Sequence, residues 1–270
     1  MQHQLFGVRI DDLDKHTISQ QLTTWLGGQR PHIIVTPNAE FLLEGRRDPS
    51  FVELLNTSDL SVPDSVSLRY AVAALSTARL LHRYPGVDLF LDLVSIAQAQ
   101  QKKVLLLGGH PGAAGQSAIV LKTQHPDLAI VAHDPGFLKS EGGQVELTAK
   151  TLTIIEQEKP DVVAVALGQG KQERVMTALA KCFPFIKILI GIGGSLEMIA
   201  GQRQRSPLWM RQIGLEWLWR VSIEPQRLQR IVNASIVFPF LVAKKAFRER
   251  GVIVPTRHVF SEVFKQLRGL

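Results

Sequence analysis

Three times between residues 102 and 201 the chain repeats one arrangement: a short aliphatic run, a turn containing glycines, then a stretch of helical length. The units are KKVLLLGGHPGAAGQSAIVLKTQ, DVVAVALGQGKQERVMTALAKCF and FIKILIGIGGSLEMIAG. Short apolar runs alternating with helix-length segments are the pattern of an α/β protein with a mostly parallel sheet. Earlier segments read the same way. HIIVTPNAEF is a strand ending near Thr36, followed by a helix broken near Asp48-Pro49, and DLSVPDSVSLRYAVAAL is a short strand, Asp64 and a small-residue helix. LAIVAHDPGF is a further strand and turn, with a helix expected over 143–158. Ligands of open α/β folds bind beyond the carboxyl ends of the strands. The turns TPN, PDS, GGHPG, DPGF, GQGKQE and GIGG are therefore expected to gather along one edge.

Beyond about residue 201 the pattern changes to segments rich in Trp and Arg, with no strand-turn-helix unit before GVIVP. The expected division is an α/β domain over 1–201 and a basic, aromatic, helical appendage over 202–270. Residues 202–250 hold ten basic and three acidic residues, a net +7 that equals the formal excess of the whole chain. Basic and aromatic residues together suit a nucleic acid, an anionic membrane surface, or simple packing on the domain. IVFPFLVA followed by KKAFRER favours the membrane surface, and Pro239 argues against a spanning helix. No nucleic-acid module is visible, so no nucleic-acid partner is expected.

Other classes are excluded by what the chain lacks. The one cysteine, Cys182, rules out an intrachain disulfide and a CxxC metal site and fits a reducing compartment. The N-terminus has no signal-peptide pattern, and no run approaches the roughly 20 apolar residues that span a bilayer. A cytoplasmic protein is expected. The histidines form no HExxH, and the DxD string Asp12-Leu13-Asp14 lies in a polar N-terminal segment away from the strand-end turns, so no bound metal is expected. GxSxG is absent, which disfavours an α/β-hydrolase.

Each candidate site has a structural reading beside a functional one. Gly108 and Gly109 open a strand-turn-helix that suits a phosphate or is a plain tight turn. Gly168, Lys171, Gln172 and Glu173 place glycines and polar groups in one turn, which is either a ligand site or a solvated first turn where Glu suits the helix dipole. Gly193 and Gly194 stand in a third such turn. Thr36 and Asn38 offer a hydroxyl and an amide, and Asn38 equally fits a helix N-cap. Asp64 is either a cap or a general base.

Taken in order, TPN, VPDS, RYPGVD, LLLGGHPG, PGF, GQGKQE, GIGG, RSPLW and GLEWLWRVSIEPQRLQR resemble the motifs of the WecG/TagA/CpsF family of bacterial glycosyltransferases, across roughly residues 6 to 231. The resemblance implies a Rossmann-like domain and transfer of a sugar, commonly N-acetylmannosamine, from a UDP donor to an undecaprenyl-diphosphate-linked sugar in surface polysaccharide or teichoic acid synthesis. It implies inversion, no metal or other cofactor, and a C-terminal appendage at the inner face of the cytoplasmic membrane. By the same resemblance Asp64 is the general base, and Thr36 and Asn38 line the sugar pocket. Arg83 and Gln172 lie near the donor, Phe137 stacks on uracil, and Arg220, Arg227 and Arg230 close over the diphosphate. The residues themselves leave oligomeric state open, a homo-oligomer being one option because exposed apolar tail residues favour self-association off the membrane. Ser65 and Gly170 depart from the family pattern, standing where glycine and proline are usual, and Ser206 replaces an alanine.

Overall fold

A computed structural model describes residues 1–136, 138, 140–141, 144–204, 206–207, 210, 216–223, 228–250 and 253–267. The chain opens with an antiparallel hairpin, β1 (Gln2–Leu5) and β2 (Val8–Asp11), turning at Phe6 and Gly7, both at positive φ. Helix α1 (Lys15–Leu26) follows, its N-cap Asp14 accepting the Thr17 N–H. Next come β3 (His32–Val35), α2 (Ala39–Arg47), α3 (Pro49–Asn56), β4 (Leu60–Ser61), α4 (Val66–Leu75) and α5 (Gly86–Ala99). Asp48 ends α2 and caps α3, and Pro49 takes the first helical position, so the break falls where the sequence placed it.

The strands β5 (Val104–Gly108), β6 (Ile130–His133), β9 (Val162–Ala166) and β10 (Ile188–Gly191) complete a six-stranded sheet in the order β4-β3-β10-β9-β5-β6, parallel at every pairing. Its connections include α6 (Ala113–Gln124), α7 (Ala149–Glu158), α8 (Lys171–Cys182) and α9 (Ser195–Ile199). Between β6 and α7 lies a small hairpin of β7 (Ser140–Glu141) and β8 (Gln144–Val145). The helix expected from 143 therefore starts at 149, because 144–145 pair as a strand and Thr148 supplies the N-cap.

Strand residues alternate between two apolar layers. Leu105, Leu107, Val163, Val165 and Leu189 face one side, packed with residues of α2, α4 and α8. Val104, Leu106, Val162, Ala164 and Ile190 face the other, with α1, α5, α6 and α9. Burial on both faces explains why these strands read as unbroken apolar runs.

The C-terminal part is helical: α10 (Glu216–Ile223), α11 (Leu228–Val232), a π-helical turn (Asn233–Val237), α12 (Phe238–Arg250) and α13 (Ile253–Leu267). Pro239 has no N–H to give the preceding turn. The π turn absorbs the mismatch, with Phe238 N–H reaching back to the Asn233 carbonyl. Of the GVIVP string, Ile253, Val254 and Pro255 open α13, where a first-turn proline breaks no helical bond.

Packing crosses the boundary that the sequence pattern drew near 201. Phe238, Val242 and Ala246 are buried in the same core as Leu105 and Val163, and both α12 and α13 pack on α4. Glu262 of α13, 3% exposed, pairs with Arg79 just beyond α4.

Candidate active site

A parallel sheet puts every strand's carboxyl end on one rim, so the TPN, PDS, GGHPG, DPG, GQG and GIGG turns share that edge. The connection from β5 runs outward to β6 through α6, while that from β9 runs the opposite way to β10 through α8. Those helices lie on opposite faces of the sheet. Strand order thus reverses between β5 and β9, which opens a crevice at that point of the rim. Gly109 N–H bonds the Ala166 carbonyl across its floor at 2.8 Å. At Gly108 (φ +99°) a β-carbon would lie 2.8 Å from that same carbonyl oxygen, so only glycine fits.

Asp64 stands on this rim at the far strand, β4. The N-cap of α4 is Ser65, so Asp64 precedes the helix. Its Oδ1 accepts the N–H of Gly86, the first residue of α5, at 2.8 Å, and its own N–H bonds the Pro37 carbonyl. Gly86 also lies against the Thr36 side chain, where a β-carbon would meet Oγ1 at 3.1 Å. Thr36 Oγ1 in turn points to the Gly191 carbonyl at 3.4 Å. Asp64, Gly86, Thr36 and the end of β10 form one cluster. Ser65 adopts φ −109°, an ordinary extended value, so the departure from glycine leaves this turn unstrained.

The next group along the rim is built on α8. Gln172 is 3% exposed; its Oε1 accepts the Gly193 N–H at 3.1 Å and its Nε2 donates to Glu173 Oε1 at 2.7 Å. Gly191 leaves space for that amide, since a β-carbon there would sit 2.7 Å from Nε2. Glu173 is 2% exposed and its Oε2 accepts the Gly170 N–H at 2.6 Å. Burial pushes its carboxyl up to about 7, against the opposing hydrogen bonds from Gln172 and Gly170. The polar KQE string thus folds inward: Glu173 is a buried brace for Gln172 and the turn, and no solvated dipole partner. Gly170 has φ +84°, a value a proline ring cannot take, so this departure sets a distinct turn. Lys171 Nζ donates to the Leu138 carbonyl.

Asn38 caps α2, its Oδ1 accepting the N–H groups of Glu40 and Phe41. Gly194 caps α9, and Glu197 in that helix accepts the His110 N–H, bracing the GGHPG turn. Arg83 is half-buried in the loop entering α5. That loop is held by Asp12, whose carboxylate accepts the N–H groups of Leu81 and His82. Burial pushes the Asp12 carboxyl up, but these bonds and those from His82 and His3 outweigh it and leave it below its ordinary value. The DxD string is therefore not remote from the rim: the β1–β2 hairpin carries Asp12 to the loop that presents Gly86. Among the described residues no cluster of three His, Cys, Asp or Glu side chains has metal-site geometry.

Of the appendage arginines, Arg230 reaches the rim, gripping the Glu40 carboxylate through Nε at 3.0 Å and Nη2 at 2.5 Å. Arg220 lies on α10, and Phe137 and Arg227 lie outside the described residues. Gly86, Glu40, Asp12 and Glu197 escaped the sequence reading as site residues, although Gly86 sits inside the RYPGVD string.

Three strand spacings, roughly 14 Å, separate β4, which Asp64 follows, from the crevice beside β9. A rim of that length accommodates an extended ligand with one end among glycine turns and the other at a carboxylate. The chain matches the model of the Glycosyl transferase WecG/TagA/CpsF family over residues 3–251. It is 28% identical over 224 residues to an N-acetylglucosaminyldiphosphoundecaprenol N-acetyl-beta-D-mannosaminyltransferase of Bacillus subtilis (strain 168), covering 83% of this chain and 81% of that one. A protein of the same description from Staphylococcus aureus (strain MRSA252) is 29% identical over 242 residues, 89% of this chain and 91% of that one.

Proposed function

The chain belongs to the WecG/TagA/CpsF family of glycosyl transferases, and from that premise we propose that it moves N-acetylmannosamine from a UDP donor to an undecaprenyl-diphosphate-linked N-acetylglucosamine, inverting the anomeric centre. The observation that carries this reading is the Asp64 carboxylate, pinned by Gly86 on the same rim as the glycine crevice. The nucleoside diphosphate lies toward the crevice and the sugar toward Thr36 and Asp64. As the acceptor hydroxyl attacks the anomeric carbon, its oxygen–carbon bond forms, the bond to the diphosphate oxygen breaks, and Asp64 takes the hydroxyl proton. One displacement inverts the centre and calls for no enzyme nucleophile.

Departure of UDP builds negative charge. Guanidinium groups from Arg83, Arg220, Arg227 and Arg230 are proposed to meet it, in place of a bound metal. The N-terminus of α6, whose first turn has no side-chain cap, adds a favourable dipole beside the crevice.

Among the described residues no helix is long and apolar enough to cross a membrane. We place the protein on the membrane surface instead. Ile236, Phe240, Phe247, Phe260 and Phe264 are exposed on the C-terminal helices, with Lys244, Arg248 and Arg257 among them. Apolar side chains beside cationic ones suit a headgroup layer containing anionic lipid.

The test is transfer from radiolabelled UDP-N-acetylmannosamine to a lipid-linked N-acetylglucosamine diphosphate, with and without EDTA. Product that persists in EDTA and falls at least a hundredfold in Asp64→Asn supports the reading. Donor binding without turnover in the unaltered protein would leave a nucleotide-sugar-binding protein on this fold.

A further inference from the structure

Glu40 is where three separate parts of the rim meet. Its N–H is bound by the Asn38 side chain at 2.9 Å, in the turn after β3. Its carbonyl accepts Gln169 Nε2 at 3.1 Å, from the turn after β9. Its carboxylate grips Arg230 of α11 through both Nε and Nη2. The residue is thus fixed at backbone level to two strand-end turns and offers its side chain to a helix 190 positions away.

An exposed ion pair contributes little to stability, typically about 0–1 kcal/mol, and the Arg230 side chain is half exposed. Orientation is another matter. A planar guanidinium held along its Nε–Nη2 edge cannot rotate without breaking both bonds, so its Nη1 edge is aimed in one direction. Glu40 is the second residue of α2, where the positive end of the helix dipole offsets part of its negative charge. The pair therefore fixes Arg230 while leaving the outer edge of the guanidinium electropositive, as an anion arriving at the rim requires. Packing below the pair agrees: the π turn after α11 rests on α2, and Ile231, next to Arg230, is buried.

We propose that Glu40 is a positioning residue that docks the arginine-bearing helix against the sheet rim and aims Arg230 at the leaving diphosphate. The aiming rests on the transferase reading above; the docking does not. Glu40→Gln keeps the shape and removes the charge, so turnover should fall about tenfold to a hundredfold while the KM for the UDP-sugar changes less than threefold. Because Glu40 acts through Arg230, the same substitution in an Arg230→Ala background should cost less than twofold more. Equal losses in both backgrounds, unchanged turnover in Glu40→Gln, or faster turnover, as expected if Glu40 competed with the diphosphate for Arg230, would each overturn the assignment. Amide hydrogen exchange over 228–237 tests the docking without any assay of transfer. It should quicken severalfold in Glu40→Gln while exchange in β5 and β9 is unchanged. Exchange at the native rate would sink the docking, and quickened exchange in a protein inactive as a transferase would retain the docking and refute the aiming.

Discussion

Glu173 gives the sharpest quantitative test of the structure. Its carboxyl lies behind Gln172, 2% exposed, and burial raises it from 4.5 to about 7. In the unfolded chain it ionises near its ordinary value. Below about pH 4.5 both states hold the proton, and the group does not penalise folding. Between there and about pH 7 the unfolded chain releases its proton while the folded protein keeps it, so stability declines as pH rises. Above about 7 both are ionised and the loss is complete. A shift from 4.5 to about 7 corresponds to roughly 3 kcal/mol at 1.36 kcal/mol per pH unit. Glu173→Gln cannot ionise, and every other titrating group is shared by the two proteins. Urea unfolding at pH 5, 6, 7 and 8 should therefore show wild type losing roughly 2–3 kcal/mol relative to the glutamine variant from the lowest to the highest pH. A difference that stays constant across the series would mean that Glu173 is ionised and solvated in the folded protein, and the inward-folded KQE turn would be wrong.

Three other outcomes follow from named contacts. Gly108→Ala should destabilise by about 2 kcal/mol or more, because its β-carbon meets the Ala166 carbonyl and its φ is +99°; thermal melts with a shift under a degree would contradict that close approach. Arg79→Leu should cost more than Glu262→Leu, about 2 kcal/mol against less than 1, since the first strands a buried carboxylate and the second leaves an arginine facing water. Lys265 at 3.7 Å softens but does not cancel the asymmetry, and equal losses in denaturant unfolding would refute it. Replacing Phe240, Phe247 and Phe260 together by Ser should cut co-sedimentation with vesicles containing anionic lipid at least tenfold while circular dichroism is unchanged; undiminished binding would move the membrane face elsewhere.

The parallel sheet and the gathering of its turns were legible because strands buried on both faces are apolar throughout and end in glycines. Asp64 could be placed at a strand end from the same signals, but its partner could not: Gly86 is 22 residues away and bonds through a backbone N–H, which leaves no side-chain signature. The burial of Glu173 was not legible, because a polar first turn normally faces water and its burial depends on the amide of Gln172 meeting Gly191 and Gly193 at the end of β10. Asp12 was assigned to a polar segment since two four-residue strands carry too little pattern to reveal the hairpin that delivers it. In the C-terminal segment, Phe238, Val242 and Ala246 recur on one helical face, yet neighbouring Phe240 and Phe247 point outward. Composition registers that mixture as one apolar stretch and cannot divide core from surface.

Helix α4 begins at Val66, two positions after Asp64, and along its length it is gripped by α12 and α13. The outward phenylalanines of α12 and α13 and the Asp64 carboxylate are consequently joined through one packed helix. If those rings rest in a lipid layer, as proposed above, the height of Asp64 above it would already be set, and a substrate tethered in the bilayer by its own tail would be met at a fixed elevation. The length of α4 serves as the ruler.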